Sequence, residues 1–306
     1  MRTAGGAGTI RQVSTPRGPA AAGPRTRVGA LLAELGVTQP LLAVTDLGTR
    51  LGVVQGVLAD RILDLAVTES GRLRLRAELR GRLWAHERGI GVPDVLAAAD
   101  DGRWLLSRRV HPAPAGGARW TEEAIEVAVR IAPLPPPPGG AWRPEADGTV
   151  RTTALRRARD SIHDGGRLVR GGVSLRELRE VRAAAWQLPR AEACHGDLRA
   201  ANVVLDGERG ELVVLEWAGV ATGPRHRDLL TLWATTAAAE DRARVADAVL
   251  ERTAAWERPD VGLVWHAVAL EQLVARLTRP DRGDGLDAAF ARARLEDARR
   301  TAADLC

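Results

Sequence analysis

The chain of 306 residues has 44 basic and 39 acidic side chains, a formal net charge of +5, and no lysine, so every basic group counted is an arginine. A Walker A phosphate loop needs a lysine, and so does the Schiff-base chemistry of pyridoxal enzymes and aldolases, which excludes these classes. Two cysteines cannot by themselves build a zinc finger or an iron–sulfur site. They are also too few for a disulfide framework, which predicts a reducing, cytoplasmic location.

The first part of the chain predicts a basic arm followed by a β-rich lobe. Residues 1–26 contain no acidic side chain and no hydrophobic periodicity, which is typical of a disordered segment. Five strand-like runs and one helix follow, with turn-forming glycines and aspartates between them: 41–45, 51–57, 61–67, the helix over 72–88, 92–98 and 104–110. Leu75, Leu79 and Leu83 form the clearest apolar stripe of that helix. These elements predict a β-rich N-lobe over residues 27–111.

The second part predicts a helical lobe over residues 112–306. A break rich in proline and glycine precedes a helix over 121–131, for which Thr121 is the expected N-cap. From Arg151 onward the pattern is helical, with a strand–loop–strand interruption over 192–215. No window holds eighteen uncharged apolar residues, so we expect no membrane span. Arginine is interleaved with acidic residues throughout, which argues against a nucleic-acid partner; binding through the basic arm stays a third, weaker hypothesis.

One stretch of the helical lobe presents the groups needed for phosphoryl transfer. Asp197 follows His195 and a glycine, Asn202 stands five residues later, and a short hairpin then ends in Glu216. Carboxylate and carboxamide oxygens suit Mg²⁺, which takes one or two carboxylates together with substrate phosphates. Asp197 could accept a proton from a substrate hydroxyl, as phosphoryl transfer requires. The alternative for Asn202 is a turn residue bonded to its own backbone.

This stretch resembles the aminoglycoside phosphotransferase family of kinase-like small-molecule phosphotransferases. The family pattern is H-G-D-x4-N, then an apolar strand and Asp-Trp or Asp-Phe. The resemblance follows the order of elements over about residues 40–300 and is specific at 193–233. It implies an α+β, bilobal, protein-kinase-like fold with a small β-rich N-lobe, a larger helical C-lobe, and ATP in the cleft.

The resemblance also implies a role for each residue of the motif. Asp197 would be the catalytic base, and Asn202 and Glu216 would bind Mg²⁺. His195 and Asp228 would support the catalytic loop. Glu216 departs from the family, which has aspartate there; the extra methylene displaces the carboxylate, and small errors of position slow catalysis strongly.

The N-lobe departs from the family at the phosphate anchor. The family presents an ATP-binding lysine on a strand and a glutamate on the following helix. Here the glutamate corresponds to Glu78, but the lysine position falls on Asp64, whose carboxylate would repel phosphates. Three arginines are candidates to replace the lysine: Arg61, Arg74 and Arg76. The alternative for Asp64 is a solvent-facing strand residue, with the alignment displaced by one or two positions.

Two functions follow from these observations. The first is an ATP- and Mg²⁺-dependent phosphotransferase that acts on a hydroxyl of a small molecule or a peptide, which the Asp197–Asn202 pair favours. The second is a catalytically impaired pseudokinase that acts as a binding or scaffold subunit, which Asp64 and the absence of lysine favour.

Overall fold

The structure, a computed structural model, describes residues 23–47, 51–113, 117–138, 165–278 and 287–305. These residues form two compact units. The first unit contains residues 23–47, 51–111 and 217–219, and the second contains the others. Most of the expected N-terminal arm, residues 1–22, lies outside the described part.

A five-stranded antiparallel sheet in the order β1-β2-β3-β5-β4 forms the centre of the first unit. The strands are rich in valine, leucine and other residues that fit a pleated, half-buried surface. Their bounds are β1 Ala43–Asp46, β2 Val53–Val57, β3 Arg61–Ala66, β4 Val95–Ala98 and β5 Trp104–Arg108. All five strands expected from the sequence are therefore present.

Helix α1, Pro24–Glu34, covers part of this sheet. Its proline in the first turn suits a helix start, where the missing N–H is not needed. The helix corrects the expected extent of the arm, because residues 24–26 are helical. The core of the unit includes Val28, Leu31 and Leu32 from α1 together with Val54, Leu63 and Trp104 from the strands.

Helix α2, Glu69–His86, connects β3 to β4. It begins where the Thr68 hydroxyl accepts the N–H of Gly71 at 3.0 Å, which satisfies one of the free donors of the first turn. The predicted leucine stripe is only partly right, because Leu75 is buried whereas Leu83 is 37% exposed.

The buried face of α2 instead includes three charged side chains spaced by four residues, Arg74, Glu78 and Arg82. Each has a relative exposure of 7% or less. Charged groups can be buried when they neutralise one another, and hydrophobic periodicity does not detect such a face.

Helices dominate the second unit, as the sequence predicts. Their bounds are α3 Ala118–Ile131, α4 Leu175–Gln187, α5 Arg227–Thr235, α6 Ala239–Glu251, α7 Arg258–Thr278 and α8 Ala288–Leu305. Residues 165–170 are also helical. In the core, Trp265 of α7 meets Trp233 of α5 edge-on, with ring centroids 5.2 Å apart.

The start of α3 differs from the prediction that Thr121 is its N-cap. The helix begins at Ala118, after Gly117 with φ 85°. Glycine adopts this positive φ without a steric penalty and so lets the helix start earlier. The Thr121 hydroxyl, now inside the helix, donates to the carbonyl oxygen of Gly117 at 3.1 Å.

Two short antiparallel ladders frame the loop that contains the predicted catalytic residues. Strand β6, Glu192–Cys194, pairs with β9, Ala221–Gly223. Strand β7, Val203–Leu205, pairs with β8, Leu212–Val214. The loop from His195 to Asn202 lies between β6 and β7, where the strand–loop–strand pattern placed it.

The antiparallel sheet of the first unit and the helices of the second confirm the predicted α+β class. None of the helices in the ranges given above is long and apolar enough to cross a membrane.

Candidate active site

The loop that contains the predicted catalytic residues is held by Asp228, in the first turn of α5. The Asp228 carboxylate, only 5% exposed, accepts the backbone N–H of His195 at 2.6 Å and that of Gly196 at 3.1 Å. Burial raises the pKa of Asp228, and the two N–H bonds oppose that shift. Asp228 therefore braces the loop just before Asp197 through these two hydrogen bonds.

His195 connects the loop to the end of β8. Its ring is fully buried, and Nε2 lies 2.9 Å from the carbonyl oxygen of Leu215. Nδ1 accepts the backbone N–H of Asp197 at 3.3 Å. Since a carbonyl only accepts, this network fits the neutral ring with its proton on Nε2.

Asp197 is the exposed acid of the loop, with 37% of its side chain accessible. Its Oδ1 accepts from Nε of Arg199 at 2.9 Å, and its Oδ2 accepts from Nδ2 of Asn202 at 3.3 Å. The two neighbours hold the carboxylate in one orientation while leaving it accessible, as a group that must meet a substrate hydroxyl requires.

Asn202 ends the loop and is 5% exposed. Its Nδ2 also donates to the backbone carbonyl of Asp197 at 2.8 Å, so the side chain closes the loop on itself. With Nδ2 used in this way, Oδ1 is the atom of the amide suited to a cation. The bond to the Asp197 carbonyl is the local backbone contact of the turn-residue alternative, and the bond to the Asp197 carboxylate is an additional one.

Glu216 lies beside Asn202 because the β7–β8 hairpin brings their backbones together. The N–H of Leu215 donates to the carbonyl of Asn202 at 2.8 Å, and Glu216 is the next residue. Glu216 has φ 67°, a left-handed conformation that is uncommon for a side chain of this size. Such conformations are often found at functional sites.

The second unit thus brings His195, Asp197, Asn202 and Asp228 into one hydrogen-bonded network, with Glu216 adjoining it. In the parts of the chain that the structure describes, no group of three or more His, Cys, Asp and Glu side chains forms a metal cluster. A metal ion here would need the amide of Asn202 and oxygens of the substrate as well as Glu216.

Asp64, at the position of the usual lysine, is buried in β3 of the first unit. It is 7% exposed, and its Oδ1 accepts from Nε2 of Gln55 on the neighbouring strand at 3.0 Å. The alternative of a solvent-facing Asp64 is therefore wrong, because the residue is buried.

Glu78, predicted as the partner of a lysine, has other partners in the same unit. Its Oε1 accepts from Nε of Arg82 at 2.7 Å, and its Oε2 accepts the backbone N–H of Ala218 at 2.8 Å. Burial alone would raise the pKa of Glu78, but the positive charges of Arg82 and Arg74 and these hydrogen bonds together lower it. The ionised Glu78 carboxylate therefore holds the backbone N–H of Ala218, two residues after Glu216 in the chain.

Close packing supports the same segment. Trp217 and Trp84 of α2 have ring centroids 6.1 Å apart. At Gly81 of α2, a Cβ would lie 2.4 Å from the carbonyl oxygen of Trp217. Only glycine allows this approach, so α2 and residues 217–219 are fitted to one another.

Of the three arginines named as possible substitutes for the lysine, the structure distinguishes one. Arg61 lies 3.4 Å from Asp60 and Arg76 lies 3.7 Å from Glu69, both as partly exposed pairs. Arg74 is 7% exposed and acts electrostatically on Glu78.

Sequence reasoning missed Arg199 and Arg82. Arg199 stands two residues after Asp197, and this adjacency was a signal that a cation accompanies the base. Arg82 stands four residues after Glu78, the spacing of an ion pair along a helix, but it also fits a solvent-exposed face.

Comparison with models of protein families shows the family to which the chain belongs. The model of a family described as "Phosphotransferase enzyme family" matches residues 53–262. A search of curated proteins finds no match.

Solved structures share the fold at low sequence identity. Wild-type aminoglycoside 2'-phosphotransferase-IIIa in its GDP complex has a TM-score of 0.54 and 12% identity, over 91% of this chain and 99% of that chain. A choline/ethanolamine kinase family protein from Mesorhizobium loti has a TM-score of 0.52 and 17% identity, over 91% and 94%. A macrolide 2'-phosphotransferase from Brachybacterium faecium has 0.50 and 17%, over 88% and 96%. This likeness confirms the predicted kinase-like fold.

Proposed function

Because the chain belongs to the phosphotransferase enzyme family, we propose that it transfers the γ-phosphate of ATP to a hydroxyl group of a small molecule or a peptide. The observation on which this proposal depends is the setting of Asp197. Its carboxylate is 37% exposed and is oriented by Arg199 and Asn202. A carboxylate so placed can orient the acceptor hydroxyl and take its proton as the phosphoryl group transfers.

The other loop residues keep Asp197 in place. Asp228 accepts the backbone N–H groups of the two residues that precede Asp197. His195 accepts the N–H of Asp197 itself through Nδ1. Pre-organised groups of this kind lower the barrier because they need not reorganise during the reaction.

The donor set fits Mg²⁺. Asn202 offers its amide oxygen and Glu216 its carboxylate, and Mg²⁺ prefers such oxygen ligands together with phosphates. When bound, the ion would neutralise charge on the nucleotide phosphates. The residues that would hold it are Asn202 and Glu216.

We infer that arginine replaces lysine as the phosphate-binding cation. Arg199 lies 2.9 Å from Asp197 and is 13% exposed in its side chain. A guanidinium is always charged and its planar fork matches phosphate oxygens in a bidentate manner. Arg74, buried near Glu78, is the second candidate, in the first unit.

The same observations make a pseudokinase role the less favoured alternative. A loop with no catalytic work would have no chemical reason to keep an accessible Asp197 held by Asn202. Asp64 does not require loss of activity, since it has Gln55 as a hydrogen-bond partner and Glu78 has its own cations.

Small molecules with a hydroxyl group are the first acceptors to test. The names of the similar structures include aminoglycoside and macrolide phosphotransferases and a choline kinase. The compounds in these names are the acceptors with which to begin. One similar structure is a complex with GDP and kanamycin, so GTP should be compared with ATP as the phosphate donor.

Calorimetric titration with Mg·ATP and Mg·GTP tests the proposal directly. We expect saturable binding of Mg·ATP, and then phosphoryl transfer to at least one hydroxyl compound, followed by ³¹P NMR. The starting acceptors are kanamycin, a macrolide and choline. Absence of saturable binding of either nucleotide at millimolar concentration would overturn the enzyme function.

A further inference from the structure

Helix α5 contacts the candidate catalytic loop near both of its own ends. In its first turn, Asp228 accepts the backbone N–H groups of His195 and Gly196. At its last residue, the hydroxyl of Thr235 accepts the backbone N–H of Ala200 at 3.0 Å. Seven residues separate Asp228 from Thr235, which is close to two helical turns. Both side chains therefore lie on one face of α5, about 10 Å apart along its axis, and together they hold the loop at two points.

Thr235 differs from two other buried threonines at this end of α5. Thr231 donates to the carbonyl of Arg227 at 2.9 Å, and Thr236 donates to that of Leu232 at 2.8 Å. Thr235 likewise donates to the carbonyl of Thr231 at 2.8 Å. Since its one proton is used inside the helix, its oxygen is left as an acceptor for the loop. Within the described part of the chain, Thr235 is the one of these three whose hydroxyl also bonds to the loop.

The N–H group that Thr235 accepts begins the turn that ends the loop. Ala200–Asn202 is a short 3₁₀ turn, and the first N–H of such a turn has no partner within it. Arg199, the residue before it, provides no side-chain cap. The hydroxyl of Thr235 takes this role from a distant part of the chain. The N–H of Asn202 donates to the carbonyl of Arg199 at 2.8 Å, so the start of the turn sets where Asn202 lies.

Asn202 passes this position on to Asp197. Its Nδ2 donates to the Asp197 carbonyl at 2.8 Å and to the Asp197 carboxylate at 3.3 Å. A shift of the turn would therefore also move the carboxylate. Displacement of a catalytic group by about 1 Å can cost on the order of a hundredfold in rate.

We propose that Thr235 is a positioning residue for phosphoryl transfer, whose hydroxyl holds the N–H of Ala200 and thereby orients the Asp197 carboxylate. This role rests on the proposed function, in which Asp197 is the base. Thr235 acts through the turn and Asn202, so it affects the rate of transfer more than the binding of substrates.

Thr235→Val removes the hydroxyl and nearly keeps the shape of the side chain. We expect kcat to fall by about tenfold to a hundredfold, with the KM for Mg·ATP and for the acceptor within about threefold. Thr235→Ser keeps the hydroxyl and should restore kcat to within about threefold of the unaltered chain.

Thr236→Val is the matched control, because it makes the same change at the next residue. Thr235 and Thr236 are both 3% exposed, and both donate to a carbonyl of α5. The control should change kcat by less than about twofold. Equal losses in Thr235→Val and Thr236→Val, or a loss in Thr235→Ser as large as that in Thr235→Val, would overturn the proposal.

A spectroscopic measurement tests the same role without an activity assay. Asn202 is the only asparagine in the chain, so ¹⁵N-asparagine labelling gives a single side-chain amide signal. Thr235→Val should shift this signal, whereas Thr236→Val should leave it in place. An unchanged Asn202 signal in folded Thr235→Val would contradict the proposal. Absence of phosphoryl transfer by the unaltered chain would instead refute the proposed function.

Hydrogen exchange covers the case in which Thr235→Val does not fold. In the unaltered chain, we expect the Ala200 amide to exchange slowly, as a buried hydrogen-bonded amide does. Exchange of this amide at the rate of an open peptide would overturn the proposal.

Discussion

Asp228 and Glu78 are two buried carboxylates, one in each unit, that hold backbone N–H groups next to the proposed chemistry. Asp228 holds His195 and Gly196, just before Asp197, while Glu78 holds Ala218, just after Glu216. They differ in their charged neighbours. Arg74 and Arg82 lower the pKa of Glu78, whereas burial dominates at Asp228 and raises its pKa.

The two carboxylates thus obtain their hydrogen bonds and counter-charges in different ways. The second unit keeps the motif of the family because its residues bond mainly to one another over a short stretch of chain. In the first unit, Glu78 has no lysine partner but obtains a counter-charge from Arg82 of its own helix. Glu78 is therefore neutralised from its own helix, and five predictions test this comparison of the two carboxylates.

The largest effect is expected at the catalytic loop itself. Asp197→Asn keeps the size of the side chain but removes the base, so kcat should fall by about a thousandfold. Mg·ATP binding, measured by calorimetry, should stay within about threefold. A variant that still transfers phosphate at more than a tenth of the original rate would exclude Asp197 as the base.

Glu78→Gln tests the buried carboxylate of the first unit. The substitution leaves Arg74 and Arg82 without their counter-charge, so we expect the free energy of unfolding to fall by about 3–5 kcal/mol in urea titrations. Glu69→Gln, at an exposed position of the same helix, is the matched control and should cost less than about 1 kcal/mol. Equal effects of the two changes would contradict the structural role of Glu78.

Asp228→Ala tests the corresponding carboxylate of the second unit. It leaves two backbone N–H groups without an acceptor, which predicts a loss of about 2–4 kcal/mol in the free energy of unfolding. Asp247→Ala, exposed on α6, should have little effect. Hydrogen exchange of the His195 and Gly196 amides should also become faster. Unchanged exchange would contradict the role of Asp228 as their acceptor.

Arg199 is expected to contribute less than the base but measurably. Arg199→Ala should lower kcat/KM by about tenfold to thirtyfold, the size of a charge-assisted hydrogen bond. Arg199→Lys should recover part of the loss, because lysine restores the charge without the planar fork. If alanine and lysine behave alike, the charge at this position does not act on the phosphates.

The smallest effect is the pH dependence, which should have opposite signs at the two carboxylates. The pKa of Glu78 is lowered in the folded state, so its stabilisation is complete above its ordinary pKa of 4.5 and is lost as pH falls through the folded value. The pKa of Asp228 is raised, so its contribution is complete below the ordinary 3.8 and is lost as pH rises through the folded value. Urea unfolding between pH 3 and 6 of Glu78→Gln and Asp228→Asn should therefore differ from the parent in opposite directions. Parallel curves would contradict this assignment.

The sequence predicted the fold class, and it located the candidate catalytic loop between two short strands, because both depend on local patterns. Strand and helix periodicity located the five strands of the first sheet and the helices of the second unit. The spacing of Asp197 and Asn202 identified a loop whose hydrogen bonds join residues close in the chain.

Features made by distant partners could not be predicted in the same way. Glu78 and Ala218 are 140 residues apart, and nothing in the local pattern of α2 indicates their contact. Arg74 and Arg82 are buried because they pair with Glu78. Hydrophobic periodicity instead assigns charged residues to the exposed face of a helix. The left-handed backbone of Gly117 likewise moved the start of α3 by three residues.

Gly81 gives the Trp217–Gly219 segment a second, independent form of attachment. The approach of the Trp217 carbonyl to Gly81 is limited by the hard-core repulsion of atoms, which neither salt nor protons change. In acid, when Glu78 becomes neutral, shape complementarity at Gly81 and Trp84 would still maintain the register of the segment. The position of the residue that follows Glu216 is thus set sterically as well as electrostatically.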